Sequence, residues 1–335
     1  MRSSYPVTQS LQDEFIYHAM RKAMTGIRPA TLARVRAVLG SRLREGARLD
    51  RYTSARIGGP ADFFVTVFST EELAQAAQTA WEQQLDLLVL GAGSNLLVSD
   101  IGFRGMVIHN RAREVKFREL DNSFIVRAES GMSLPTLARM CVLRGAAGLE
   151  WAATVPGSVG GAVVGNAGAH GADTAATLRV ADILQHKGNI QKLTAKDLSL
   201  SYRSSRIKAT PGKSVVLAAE FGLERGDLDE LQSKVETFQR YRKQTQPSGA
   251  SIGSMFRNPP NDYAGRLVES VGLKGARIGG AEISTLHANF FVNKSGAMAS
   301  DVYKLIDLAR ERVQRETGVE LELEIELVGD WGGAC

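Results

Sequence analysis

Leu88-Val-Leu-Gly-Ala-Gly-Ser-Asn-Leu96 places a glycine loop at the end of a short apolar run. Leu87 to Leu90 reads as a buried strand. The residues before it, Thr70 to Gln84, read as a helix, because Leu73, Ala76, Ala77 and Ala80 recur at helical spacing behind Ser69 or Thr70 as cap. Further upstream, Arg56-Ile-Gly-Gly-Pro-Ala61 turns into a strand from Phe63 to Phe68. Strand, helix, strand is an α/β unit. A glycine loop at a strand end turns backbone N–H groups toward an anion. It is not the dinucleotide fingerprint: no third glycine follows at the required place, and Val98-Ser-Asp-Ile-Gly-Phe103 reads as a turn rather than a helix start. Nor is it a P-loop, since no Gly-Lys-Ser/Thr follows this loop.

A second glycine stretch lies downstream. Gly145 to Gly171 holds eight glycines in 27 residues, including Thr154-Val-Pro-Gly-Ser-Val-Gly-Gly-Ala162 and Gly165-Asn-Ala-Gly-Ala-His-Gly171. Small residues let backbone approach a ligand closely, and Ser158 and Asn166 add polar side chains. Tight turns between packed elements would explain either stretch alone. The two together, in an α/β chain, point to a phosphate-rich cofactor.

Around this stretch the pattern continues. Strands are expected at Ser123–Ala128, Ala181–His186 and Ser214–Phe221, and a helix from Ser133 to Arg144 stopped by Gly145. Asp227 and Glu230 resemble a capping box ahead of a helix with Leu228, Leu231, Val235 and Phe238 on one face. A loop from Gln244 to Gly253 leads to Ser254. The last helix is expected over Asp301–Glu316, with Ser300 as cap and Gly318 as stop. The alternation of Val319, Leu321, Leu323, Ile325 and Leu327 predicts a final strand. An early helix carries Leu32, Val35, Leu39 and Leu43. Residues 1–28 read as an extension with a short amphipathic patch at Phe15, Ile16, Ala19, Met20 and Ala23.

Composition narrows the function class. With 335 residues the chain suits two or three domains, and 44% hydrophobic with 23% charged residues is an ordinary globular mix. The net charge of +5 is spread along the chain without a Lys/Arg block, which argues against nucleic acid. Cys141 and Cys335 give neither a disulfide framework nor metal spacing, and His18, His109, His170, His186 and His287 show no paired ligand spacing. Met1 to Met24 lacks the apolar core of a signal peptide, and no run reaches the length of a membrane span. We expect a soluble, cytosolic chain without metal, nucleic-acid or membrane partners, monomeric or weakly self-associating.

At this point the motifs acquire a relative. Arg56–Ala61, Gly91-Ala-Gly-Ser-Asn-Leu-Leu-Val98, Val155-Pro-Gly-Ser-Val-Gly-Gly161 and Gly165-Asn-Ala-Gly168 resemble those of the UDP-N-acetylenolpyruvoylglucosamine reductase (MurB) family. So do Ser201-Tyr-Arg-Ser-Ser-Arg-Ile-Lys208, Gly253-Ser-Met-Phe-Arg-Asn-Pro259 and Gly272-Leu-Lys-Gly-Ala-Arg-Ile-Gly-Gly-Ala281. They stand in the family's order over about residues 50–329. The resemblance implies an α/β (α+β) fold: two FAD-binding subdomains of the PCMH/vanillyl-alcohol-oxidase type and a C-terminal α+β substrate domain. The corresponding division is 1–28 extension, 29–112 and 113–225 FAD-binding subdomains, 226–318 substrate domain, and 319–335 a C-terminal strand carrying a catalytic glutamate. It also implies FAD, NADPH as co-substrate, and reduction of the enolpyruvyl ether of a UDP-sugar for peptidoglycan synthesis.

Residue by residue, the resemblance assigns FAD contacts to Gly91, Ala92, Gly93, Ser94, Asn95 and Leu96 of the first loop. On the second it assigns Pro156, Gly157, Ser158, Gly160, Gly161, Asn166 and Gly168. Arg203 matches the family's catalytic arginine and Ser254 its proton donor. A surface arginine and a turn serine are the plain alternatives. The catalytic glutamate is harder, since Glu320, Glu322, Glu324 and Glu326 share one face by periodicity. Register with Gly329 selects Glu324, but Leu323 replaces the usual proline and Glu322 stays open. Tyr202, Asn258, Lys274 and His287 match substrate-binding positions, and Arg257 stands where the family often has lysine. The short segment between Ile207 and Asp227 leaves no room for the tyrosine-bearing insertion of one branch, placing the chain with the shorter one. The competing readings are another FAD oxidoreductase of the same superfamily and a flavin- or UDP-sugar-binding protein without catalysis.

Overall fold

A computed structural model of the chain describes residues 27–331; the amphipathic patch at 15–23, His18 and Cys335 lie outside them. The first region is a sheet of β1 (Leu43–Arg48), β2 (Pro60–Val67), β3 (Leu87–Leu90) and β5 (Phe103–Asn110), ordered β1-β2-β5-β3. β2 and β3 both run parallel to β5, while β1 is antiparallel to β2. α1 (Pro29–Leu39) opens on a proline, whose missing N–H is no loss at a helix start. α2 (Thr70–Glu82) is the crossover from β2 to β3, capped by Ser69 Oγ accepting from Glu72 N. Its Leu73, Ala76, Ala77 and Ala80 pack against Phe63, Val65 and Ile108. Phe64, Val107 and Leu90 fill the opposite face. Both faces are therefore apolar, as a parallel sheet requires.

The second region is antiparallel. β6 (Val115–Glu119), β7 (Ser123–Glu129), β11 (Leu178–Gln185), β12 (Ile190–Leu193) and β13 (Ser214–Arg225) are ordered β12-β11-β13-β7-β6, with β8 (Ala146–Ala147) on the end of β13 and β9 (Gly168–Ala169) paired with β10 (Ala172–Asp173) in a separate two-stranded sheet. α3 (Leu134–Val142) is capped by Ser133, and α5 (Leu228–Thr245) by Asp227 Oδ1 accepting from Glu230 N. Leu137 and Cys141 of α3 and Leu231 and Val235 of α5 enter one core with Val126, Phe221 and Leu223. α5 thus belongs to the core of the second region, although it opens the region placed at 226–318 by sequence. Val159–Gly165, read as part of a loop, is a short helix, α4, whose first turn is capped by Ser158 Oγ accepting from Gly161 N at 3.3 Å. Its glycines concealed it, because glycine is a poor helix former and here packing decides.

The third region joins β14 (Ala250–Ser254), β15 (Arg277–Ile278), β16 (Ala281–Ile283) and β17 (Phe290–Asn293), ordered β14-β17-β16-β15, to α6 (Ala264–Ser270) and α7 (Ala299–Thr317). Val302, Leu305, Ile306, Ala309 and Val313 bury one face of α7 against Phe256, Leu267 and Phe291. The expected cap Ser300 lies inside α7, behind N-cap Met298. The Ala299 and Ser300 N–H groups donate instead to the Asp100 carboxylate at 2.7 and 3.0 Å. The cap comes from the first region, out of reach of any local pattern.

The C-terminal run buries Leu321 and Ile325, as its alternation predicts. It forms a regular strand only over β18 (Glu326–Val328), which runs parallel to β4 (Leu96–Val98). A single bridge, Phe256 to Leu323, ties the part before it to the third region. The last residues therefore stitch the third region back onto the first glycine loop.

Candidate active site

The three regions enclose one cavity of about 350 Å³. One wall is backbone. At the end of β3, Gly93 adopts φ +59°, and an added Cβ would stand 2.4 Å from the Tyr52 carbonyl oxygen. Only glycine fits there. Ser94 Oγ donates to the Pro156 carbonyl at 3.0 Å, locking the two glycine stretches together. A Cβ on Gly91 would meet Ser158 Oγ at 2.4 Å, so the loops approach as closely as glycine permits. Among the described residues, the N–H groups of Ala92, Gly93, Ser94 and Asn95 donate no hydrogen bond within the protein. Gly91 through Leu96, Pro156, Gly157, Ser158, Gly160, Gly161 and Gly168 all line the cavity. Free N–H donors on a backbone without bulk suit an anionic, phosphate-bearing group.

Asn166 departs from this set. It is buried, and its Nδ2 donates to Asp173 Oδ2 and the Ser201 carbonyl, both at 3.0 Å, while Oδ1 accepts from Ala175 N. Asn166 does not line the cavity; it braces the loop that carries Arg203. In its place the structure brings in Arg242, from the last turns of α5. Its Nη1 donates to the Thr154 carbonyl, and burial alone lowers its pKa, with no carboxylate partner opposing that shift. Among the described residues it has no counter-ion, and a cation so placed at the glycine wall matches the same anionic ligand.

A second part of the lining is charged. Arg203 sits at φ +55° in a tight turn closed by the Ser201–Ser204 bridge. Its Nε lies 2.7 Å from Glu324 Oε1, and both side chains are largely buried. Glu324 N donates to the Met255 carbonyl at 2.9 Å, and its carbonyl accepts from Asn95 Nδ2 at 3.2 Å. That places Glu324 between the first glycine loop and the end of β14. Burial pushes its pKa above the usual carboxylate value, opposed by the Arg203 and then the Lys208 charge. Glu322, the open alternative, is 75% exposed and faces Arg257 at 3.5 Å. Ser254 follows Gly253 (φ +87°) and lines the cavity. Its hydroxyl takes no hydrogen bond among the described residues.

The four substrate candidates stand apart from the lining. Tyr202 is exposed, its ring 5.6 Å from the Arg203 guanidinium carbon. Asn258 Oδ1 accepts from Ala264 N at 3.1 Å and so anchors the start of α6. Lys274 Nζ pairs with Glu269 at 2.7 Å. His287 packs edge-on against Phe290, which does line the cavity; burial, then the Lys274 charge, depress its pKa. Arg257, in place of the usual lysine, reaches toward the Arg203 carbonyl at 3.5 Å.

Lys208, Glu326 and Arg242 line the cavity and were not picked out as site residues by sequence. Lys208 closes the quoted motif Ser201–Lys208, and that position was its only signal. Among the described residues no cluster of His, Cys, Asp or Glu could hold a metal, and no helix is long and apolar enough to cross a membrane.

Comparison with known proteins agrees with this layout. Residues 61–194 match the FAD binding domain family, and residues 244–328 match the C-terminal domain of UDP-N-acetylenolpyruvoylglucosamine reductase. A protein of that name from Rubrobacter xylanophilus is 45% identical over 84% of this chain and 94% of its own length. One from Chloroflexus aurantiacus is 42% identical over 83% of this chain and 95% of its own. The crystal structure of the MurB enzyme from Thermus caldophilus superposes with a TM-score of 0.73 at 35% identity, covering 85% of this chain and 99% of that one. Identity at this level, across nearly the whole length of each relative and over both walls of the cavity, makes the chain a member of the UDP-N-acetylenolpyruvoylglucosamine reductase family.

Proposed function

We propose that this chain is a UDP-N-acetylmuramate dehydrogenase. It reduces UDP-N-acetylglucosamine enolpyruvate to UDP-N-acetylmuramate in the cytoplasm, with FAD as cofactor and NADPH as reductant. The observation that carries the reading is a single cavity lined by a glycine-built, donor-rich wall, by the Arg203–Glu324 pair and by Ser254. The glycine wall fits a dinucleotide: N–H groups from Ala92 to Asn95 and the cation of Arg242, without partners of their own among the described residues, suit a diphosphate. Those residues, with Gly157 and Gly161, would hold FAD. Bound there, FAD supplies the hydride.

The rest falls to side chains. Reducing the enolpyruvyl double bond needs one hydride on the terminal carbon and one proton on the carbon that bears the ether. Negative charge develops on the ether-bearing carbon and spreads into the attached carboxylate. Arg203 is planar and always charged, so it binds that carboxylate and stabilises the developing charge. Glu324 holds the guanidinium through their ion pair. Ser254 donates the proton from Oγ and recovers one from solvent by way of the Glu324 carboxyl, whose proton affinity burial raises. Asn258, Lys274 and His287, grouped around α6, would receive the UDP end, with Tyr202 nearby. The test is NADPH oxidation by the purified yellow protein. Oxidation that requires UDP-N-acetylglucosamine enolpyruvate supports the reading; flavin that NADPH reduces and this substrate leaves reduced overturns it.

A further inference from the structure

The charged wall contains a second ion pair for which the reaction above has no use. Lys208 Nζ lies 3.5 Å from Glu326 Oε1, with the lysine side chain only 15% exposed. Both line the same cavity as Arg203, Ser254 and Glu324. Lys208 is held firmly: its N–H donates to Ser205 Oγ at 3.1 Å, and Ser205 Oγ donates to the Val164 carbonyl at the end of α4. The adjoining Ile207 is buried in the second region's core. Glu326 is equally fixed, its N–H donating to the Asn95 carbonyl at 2.9 Å. One turn of the second region thus presents two cations, Arg203 and Lys208, to two carboxylates of the C-terminal run, Glu324 and Glu326.

Glu324 and Glu326 are two positions apart and line the same cavity. Unopposed, Glu326 would repel Glu324 and compete for Arg203. With the Glu326 side chain 39% exposed, the pair adds little stability. Its consequence is electrostatic and local. We propose that Lys208 is a positioning residue for the reduction: by engaging Glu326, its ammonium keeps Glu324 as the carboxylate that Arg203 holds beside Ser254. This rests on the function proposed above. The charged groups around Glu324 are Arg203 and Lys208 from the turn, Arg257 from beyond β14, and Glu322 and Glu326 on its own run; Ser254 and Asn95 are neutral neighbours. The Lys208 charge is among those that hold the Glu324 pKa down against burial.

The two partners then act on Glu324 in opposite directions. Losing the lysine charge raises the carboxyl's proton affinity, and losing the Glu326 charge lowers it. In the flavin-loaded full chain, the Glu324 carboxyl can be followed against pH by infrared difference spectroscopy, its band assigned by its loss in Glu324→Gln. Lys208→Met moves the midpoint up by about 0.5 to 1 unit, Lys208→Arg returns it, and Glu326→Gln moves it down. A role that is merely structural would not give opposite signs. Shifts in the same direction, or none in either variant, overturn the proposal. Substrate-driven reoxidation of the reduced flavin, measured on the same proteins, reads the proposed function separately. Its failure in the wild type, with the opposed shifts present, would break the function and leave the electrostatic role of Lys208 standing.

Discussion

The two walls of the cavity are built on different principles. The glycine wall is backbone from two contiguous stretches, where what matters is the absence of side chains. The charged wall is side chains from separate segments: a turn at 201–208, the end of β14, and the run before β18. The first can be recognised locally because composition marks it. The second exists only once Glu324 N has found the Met255 carbonyl and Asn95 Nδ2 the Glu324 carbonyl. The division also suggests separate tasks, cofactor retention on one wall and reduction of the substrate on the other.

Three substitutions test that division, in falling order of expected effect. Arg203→Met on the charged wall should slow substrate-driven flavin reoxidation by about 100- to 1000-fold while flavin content stays near one per chain. Loss of flavin would mean that the walls are not independent. Gly93→Ala on the glycine wall should do the reverse. Its Cβ would press on the Tyr52 carbonyl oxygen at φ +59°, so the loop must shift. The expected result is FAD affinity weaker by about 10-fold, measured by flavin fluorescence on reconstituting the apoprotein. Unchanged affinity would remove the loop from the cofactor site.

The smallest effect concerns what supports the glycine wall. His109, at the end of β5 beside Leu90, packs on the Tyr52 ring at 5.1 Å. Burial first, then the Arg111, Arg113 and Arg44 charges, lower its pKa to about 4. In the unfolded chain the ring titrates near its ordinary value of about 6.5. The folded state therefore binds fewer protons between those values. The stabilising contribution is complete above about pH 6.5 and is lost as pH falls through about 4. His109→Gln should cut the fall in melting temperature between neutral pH and pH 4.5 by about 2 °C. An unchanged fall would show that the ring is not kept neutral.

The same contrast explains what could be read in advance. Helices α2, α3 and α5 announced themselves through apolar spacing and the caps Ser69, Ser133 and Asp227, all local signals. α4 was hidden, because Gly160, Gly161 and Gly165 look like loop until the sheet beneath gives Val159 and Val163 something to pack on. Asp100 capping α7 joins residues about two hundred positions apart, which no window can see. Alternation put Glu320, Glu322, Glu324 and Glu326 on one face. It could not foresee that the run pairs regularly only from 326 onward, leaving Glu322 in solvent and Glu324 beside Arg203. Asn166 had the look of a ligand contact, yet every polar atom of its amide is engaged within the protein.

The most direct test of separate tasks is stopped-flow measurement of both half-reactions in Ser254→Ala. The account predicts that NADPH still reduces the flavin at close to the wild-type rate. Reoxidation by UDP-N-acetylglucosamine enolpyruvate should slow by about 100-fold or more. Equal loss in the two half-reactions would contradict it, because Ser254 would then be serving the cavity as a whole and not the proton.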